Sequence, residues 1–297
     1  MSIDAQANLR TLRDVLRYAV TRFNEADLAF GHGQVDAFEE AAFIVMRILR
    51  LPLARLDFFA DAYLTHGEIN GLLQIIERRV KKRIPAAYLL NEAWLQGYKF
   101  YVDERVIIPR SFIAELLKDD LHPWVQDVHA VTDVLDLCTG SGCLAVMAAD
   151  LFPNATVDAI DSSAEALEVA ARNVSDYHFN DRITLIKSDL FAAVANKRYD
   201  VILCNPPYVT DAAMAKLPKE YAHEPKLALA GGPDGLKLVK MIVRQARGNL
   251  KRGGMLIVEV GDGRVAAEKA FGELSLTWLT TSAGDDMIFL AQQEQLA

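Results

Sequence analysis

The chain has 297 residues, room for one large or two ordinary domains at ~150 residues each. With 52% hydrophobic and 24% charged residues and only 17 Gly and 10 Pro, it is neither disordered, collagen-like nor low-complexity. The formal net charge is -8, and residues 1–95 balance 12 Lys/Arg against 12 Asp/Glu, so the whole acidic excess lies in the back two-thirds. Such a field disfavours a phosphate backbone as partner and suits a small cationic ligand or a basic protein.

Apolar runs such as 41–46 and 255–257 fall far short of the ~20 residues that span a bilayer. The start MSIDAQANLR lacks a basic segment followed by an apolar core, so a cytosolic protein is expected. Cys138, Cys143 and Cys204 form no C-x-x-C pair, and no His cluster has zinc spacing, so reduced thiols and no metal are expected.

In the front third, Leu9, Leu12, Leu16, Ala19 and Phe23 recur at helical spacing on one face. Phe38, Ala42, Val45 and Leu49 repeat the pattern, and Leu73, Ile76 and Val80 follow a Thr65–Glu68 capping-box signal. A small helical bundle is expected. Its basic run ERRVKKR, 77–83, reads as a solvated helix face, with contact to RNA or an acidic partner as the other option. Over 94–109, WLQGYKFYVDERVIIP turns aromatic and β-branched around a Gly, as a hairpin or extended linker does. Three parts are therefore expected: 1–93 helical, 94–110 hairpin linker and 111–297 catalytic.

From residue 131, VTDVLDLC, ATVDAID, ITLIK, YDVILCN and MLIVEV read as buried strands, separated by helical stretches at 143–151, 163–176 and 234–250. This alternation predicts an α/β fold: a parallel sheet covered by helices on both faces, with ligands at the C-terminal strand ends.

The first strand runs into Asp136-Leu137-Cys138-Thr139-Gly140-Ser141-Gly142 and then an apolar helix start. Gly140 and Gly142 permit a tight turn and close backbone approach by a ligand, although glycines also serve as plain turn residues. A dinucleotide G-x-G-x-x-G is not met, because Ala145 stands at its last position, and no lysine follows to hold phosphates. Asp161 ends the second strand, where an acid can accept from both ribose hydroxyls, and Asp189 ends the next. One such acid could simply cap a helix; three at successive strand ends describe a nucleoside site without phosphate ligands. S-adenosylmethionine fits, with ribose at Asp161, adenine at Asp189 and Leu190, and the amino-acid end over the glycine loop.

The fourth strand ends in Asn205-Pro206-Pro207-Tyr208. Two prolines leave carbonyls free to accept, and an aromatic ring follows. An amide or aromatic amino nitrogen has a delocalised lone pair and needs help to attack a methyl group. The Asn205 oxygen and the Pro206 carbonyl can each accept one N–H of an NH2 group and orient it, while Tyr208 covers its plane. A rigid turn is the alternative.

DLCTGSG, AID, SDL and NPPY in this order and spacing resemble the class I S-adenosylmethionine-dependent methyltransferases, specifically the family that methylates the side-chain N5 of protein glutamine. The resemblance covers the whole chain, including the HEPKLALAGGPDGL segment at 223–236. It implies a Rossmann-like domain behind a helical substrate-docking domain. By match, Asn205, Pro206, Pro207 and Tyr208 carry the glutamine amide, and cofactor residues fall on Cys138, Thr139, Gly140, Ser141, Gly142, Asp161, Leu190 and Asn205. Two positions depart from the pattern: Cys138 stands where the loop usually begins with glycine, which asks for an ordinary backbone conformation there, and Leu190 replaces a frequent aromatic.

Within that family, release-factor enzymes typically read I-P-R-P-E-T-E after the hairpin, whereas Ile108-Pro109-Arg110-Ser111-Phe112-Ile113-Ala114-Glu115 is similar to the branch acting on large-subunit ribosomal protein three. That basic substrate suits the acidic catalytic half. Rival expectations are a release-factor glutamine, the N6 amine of adenine in nucleic acid, and a non-catalytic assembly role; direct nucleic-acid binding and membrane association are not expected. Of the remaining residues, Arg110 either braces the site floor or pairs with a surface acid. Tyr98 and Phe100 read as core rather than as walls of the methyl site. Glu224-Pro225 shapes the loop after NPPY, and His223 has no visible partner.

Overall fold

The computed structural model describes residues 8–296; residues 1–7, with the first part of the start read above, and Ala297 lie outside the described residues. The described chain forms two compact units: residues 8–93 with Pro218–His223, and Trp94–Leu217 with residues 224–296.

The first unit is a helical bundle of α1 (Leu12–Glu25), α2 (Ala37–Ile48), α3 (His66–Lys82) and α4 (Ala86–Leu90). Helix α1 starts at a Thr11–Asp14 capping box and buries Leu12, Val15, Leu16, Ala19 and Phe23. Helix α3 starts at the predicted Thr65–Glu68 box and buries Ile69, Leu72, Leu73 and Ile76.

Three expectations for this unit fail. Phe38 is 51% exposed, and α2 turns Ala41, Ile44, Val45 and Met46 inward instead. Nor is ERRVKKR wholly a solvated face. Arg79 is completely buried, with Nε 2.6 Å from Glu40 Oε1, Nη1 3.3 Å from Glu220 Oε1 and Nη2 donating to the Ala29 carbonyl at 2.9 Å. Arg83 joins it, 2.7 Å from Glu220, while Arg78, Lys81 and Lys82 stay exposed. A buried cation persists only when paired, and Glu40 and Glu220 supply the charge that helical periodicity could not foresee. His223 has a partner too: its Nε2 lies 2.8 Å from the Lys82 carbonyl.

The second unit opens with a two-stranded hairpin, β1 (Ala93–Leu95) and β2 (Tyr98–Phe100), followed by the short helix α5 (Ile113–Lys118). Phe100 is core, and half-buried Tyr98 stacks on it. Then β3 (Asp133–Leu137), α6 (Cys143–Leu151), β4 (Thr156–Asp161), α7 (Ala164–Asp176), β5 (Ile183–Lys187) and β6 (Tyr199–Cys204) alternate as the sequence predicts. After the small strands β7 (Val209–Thr210) and β8 (Ala230–Gly232) come α8 (Lys237–Asn249), β9 (Leu250–Glu259), α9 (Arg264–Ala270) and the C-terminal hairpin β10 (Thr277–Thr281) and β11 (Gly284–Gln292).

The large sheet has seven strands in the order β10-β11-β9-β6-β3-β4-β5; β9 through β5 are mutually parallel, and β11 runs antiparallel to both its neighbours. Alternate side chains along each strand feed separate cores. Val134 and Val157 face α6, whereas Leu135, Leu137 and Ile160 pack with Val239, Ile242 and Ala246 of α8. The order reverses at β3, whose neighbours are β4 and β6, and such a point leaves a crevice at the C-terminal strand ends.

Candidate active site

The loop after β3 turns through two glycines in the left-handed region, Gly140 at φ 55° and Gly142 at φ 78°, the latter capping α6. A Cβ on Gly142 would come within 3.1 Å of Ala170, so the close packing of loop on α7 requires glycine there. Cys138 is also left-handed, at φ 61°, which overturns the expectation of an ordinary conformation. Ladder pairing of Leu137 on one side and the Thr139 N–H donating to the Ile160 carbonyl at 2.9 Å on the other dictate the turn, at about 1–2 kcal/mol for a residue with a Cβ.

Asp136 sits beneath this loop, 1% exposed. Its Oδ2 accepts from Thr139 Oγ1 at 2.5 Å and from the Ala145 N–H at 3.0 Å, while its Oδ1 has no partner. Burial pushes its carboxyl up to about 7. Ser141 and Thr139 are buried, and the Ser141 carbonyl accepts from Asn173 at 2.8 Å. Asp161, at the end of β4, accepts the Gly140 N–H at 2.9 Å on one oxygen and the Ser163 N–H at 2.9 Å on the other. Ser163, not Asp161, caps α7. Burial raises the Asp161 carboxyl above its usual range, and each oxygen keeps a lone pair for a hydroxyl donor.

A cavity of about 360 Å3 opens here, within the ~300–1,000 Å3 typical of small-molecule sites. Cys138, Gly140, Asp161, Asn205 and Pro207 line it, joined by Glu104–Ile107, Ser162, Glu165 and the 225–228 turn. Of the other predicted site residues, Asp189 is exposed and makes no side-chain hydrogen bond among the described residues, and Leu190, at φ 45°, is buried in the core below; neither lines the cavity. Glu104–Ile107 and Glu165 were missed as site residues; the acids of VDERV and DSSAE were the available signal. Arg105 is the only cation among the lining residues, and Asp103 and Glu168 hold it at 2.7 and 2.8 Å. A nucleoside carrying positive charge therefore fits, with three acids on the wall, Glu104, Asp161 and Glu165, and no phosphate ligand.

Beyond β6, among the described residues the Asn205 side chain makes no hydrogen bond and no N–H donates to the Pro206 carbonyl. Tyr208 is held tightly. A Cβ on Gly235 would lie 2.4 Å from its carbonyl oxygen, one on Gly231 2.7 Å from its Cα, and one on Gly261 2.6 Å from its ring. The glycines of AGGPDGL thus let the segment reach the backbone of NPPY. Arg110 pairs bidentately with buried Glu224 at 2.6 and 2.7 Å, and Glu224 also takes the Ile108 N–H at 3.0 Å, which places Pro225 on the cavity wall. Of the two expectations for Arg110, bracing holds and pairing with a surface acid does not. Glu259, which nothing in the pattern marked, is 1% exposed and accepts from Tyr208 Oη.

Residues 116–232 match the methyltransferase small domain. The chain is 53% identical over 294 residues to the ribosomal protein uL3 glutamine methyltransferase of Burkholderia pseudomallei, covering 97% of this chain and 96% of that one. The chain belongs to the uL3 glutamine methyltransferase family. The same holds against the protein of that name in Bordetella pertussis, 52% identical over 100% of this chain and 99% of that one. Among solved structures, the hMettl16 catalytic domain in complex with MAT2A 3'UTR hairpin 1 shares the fold, with a TM-score of 0.51, 16% identity, and coverage of 80% of this chain and 83% of that one.

Proposed function

We propose that this chain, like the family it belongs to, methylates a glutamine side chain of ribosomal protein uL3, drawing the methyl group from S-adenosylmethionine. The observation that carries the reading is the pair of unpartnered acceptors, Asn205 Oδ1 and the Pro206 carbonyl, beside an acidic cavity bounded by Asp161 and the glycine loop. When bound, S-adenosylmethionine supplies an electrophilic methyl on a sulfonium, which departs as a neutral thioether.

Asp161 would hold the ribose hydroxyls and the Cys138–Gly142 loop the amino-acid end, while the acids on the wall would favour the positive charge. Asp189 and Leu190, which do not line the cavity, are proposed for the adenine end only from their place just after β5. Asn205 and the Pro206 carbonyl each accept one N–H of the glutamine amide and turn its nitrogen toward the methyl. They also oppose the resonance that makes amide nitrogen a poor nucleophile, whose strength appears as a rotation barrier of ~18–20 kcal/mol. Pro207 stiffens the turn and Tyr208 covers the amide plane. The nitrogen loses its proton after the C–N bond forms, so no general base is needed.

The helical unit is assigned to docking uL3. It carries a groove of about 510 Å3 with Phe38 and Leu53 partly exposed and Glu39 and Asp57 among its lining residues, suited to a basic protein with apolar anchors. A ribosomal-protein substrate supports a cytoplasmic location for the reaction.

Asn205→Ala tests the central role. Affinity for S-adenosylmethionine stays within about tenfold, while methyl transfer falls about 100-fold or more, as when other oriented polar groups are removed. Equal loss of binding and turnover contradicts the assignment.

A further inference from the structure

We propose that Glu259 is a positioning residue for methyl transfer: its buried carboxylate grips the Tyr208 hydroxyl with one oxygen and the chain at Ser111–Phe112 with the other, fixing the ring that lies over the substrate amide. The inference rests on the reading that residues 205–208 take that amide.

Glu259 ends β9, directly beyond the register pair Cys204 and Val258, and so lies level with Asn205 on the neighbouring strand. It is 1% exposed and forms no ion pair among the described residues. A carboxylate so placed costs several kcal/mol unless hydrogen bonds replace its water. Three donors do so: Tyr208 Oη at 3.0 Å to Oε1, and Ser111 Oγ at 2.6 Å and the Phe112 N–H at 3.0 Å to Oε2.

Burial raises the Glu259 carboxyl above its usual range while the hydrogen bonds from Ser111, Tyr208 and Phe112 oppose the rise. In its ionised form it only accepts, so both hydroxyls then donate, and the Ser111 oxygen in turn accepts the Ile113 N–H at 3.2 Å. Gly261, two residues on, makes room for the ring, since a Cβ there would lie 2.6 and 2.8 Å from Tyr208 Cε2 and Cδ2. One segment, 259–261, therefore sets both the tip and the edge of the ring. Packing alone would stabilise such a ring with an apolar residue at 259; a carboxylate whose three hydrogen bonds all go to Tyr208 and the Ser111 turn fixes its orientation.

The test is a kinetic cycle on the full chain with uL3 and saturating S-adenosylmethionine. Tyr208→Phe removes one hydroxyl and fits the same space; kcat falls about tenfold, with KM for uL3 and cofactor affinity within about twofold. Glu259→Leu lowers kcat at least as far, and the Tyr208→Phe/Glu259→Leu double variant is no slower than Glu259→Leu, because groups acting as a unit are non-additive. Glu259→Gln returns kcat to within about threefold of wild type, its amide offering Tyr208 a partner. Should Glu259→Leu fail to fold, Ser111→Ala takes its place in the cycle with the same non-additive outcome expected. Multiplying effects, or full kcat in Tyr208→Phe, overturn the proposal alone. A wild-type chain that leaves uL3 unmethylated overturns the underlying reading as well.

Discussion

Asp136 ties its place beneath the glycine loop to a pH-dependent stability. With its carboxyl raised to about 7 by burial, it is protonated when folded but ionised when unfolded between pH ~4 and ~7. The unfolded chain then binds fewer protons, so this group's stabilising contribution is complete below about pH 4 and is lost as pH rises through about 7. Asp136→Asn keeps an oxygen for Thr139 and Ala145 without that dependence. Its melting temperature relative to wild type should climb as pH rises from about 4 to about 7, as thermal unfolding of the two proteins side by side will show. A constant difference contradicts the account. Asp136, Asp161 and NPPY were legible because strand ends and prolines mark themselves in sequence. Cys138 and Glu259 were not, since a left-handed turn imposed by sheet pairing and a carboxylate gripped by Ser111 and Tyr208 depend on residues far apart in the chain.

At the scale of elements, hydrophobic spacing located α1 and α3 and the parallel strands, because burial on one face or two writes a period into the residues. It failed for α2, where Phe38 keeps to the helical spacing yet is 51% exposed. The C-terminal β10–β11 hairpin also went unread, its TWLTT and GDDMIFLAQ being a mixed pattern beside the stronger runs. The exposure of Phe38 acquires a use if its groove takes an apolar anchor of uL3. Replacing Phe38 and Leu53 together by Ser should raise KM for uL3 about fivefold or more while sparing kcat and cofactor affinity, the loss of ~1 kcal/mol or more expected of an interface anchor. An unchanged KM in steady-state kinetics removes the groove from substrate docking.

Taken whole, the chain has two units: a helical bundle held internally by the Arg79–Glu40–Glu220 cluster, and a seven-stranded sheet with its cavity at the switch point. No helix among the described residues is long and apolar enough to cross a membrane. The acidic excess of the back two-thirds, read first from composition, is seen in the cavity as Glu104, Asp161 and Glu165, the charge a sulfonium ligand favours. The parallel part of the sheet was legible from alternation, and its C-terminal hairpin was not. The choice of substrate rested on a few residues around Ser111, now seen to be buried against Glu259 rather than exposed to a partner. The measurement that tests the account most directly is mass spectrometry of isolated uL3 and of a peptide-chain release factor, each incubated with the protein and S-adenosylmethionine. The account predicts one added methyl on a single glutamine of uL3 and none on the release factor. Methyl on the release factor alone, or on neither protein, contradicts it.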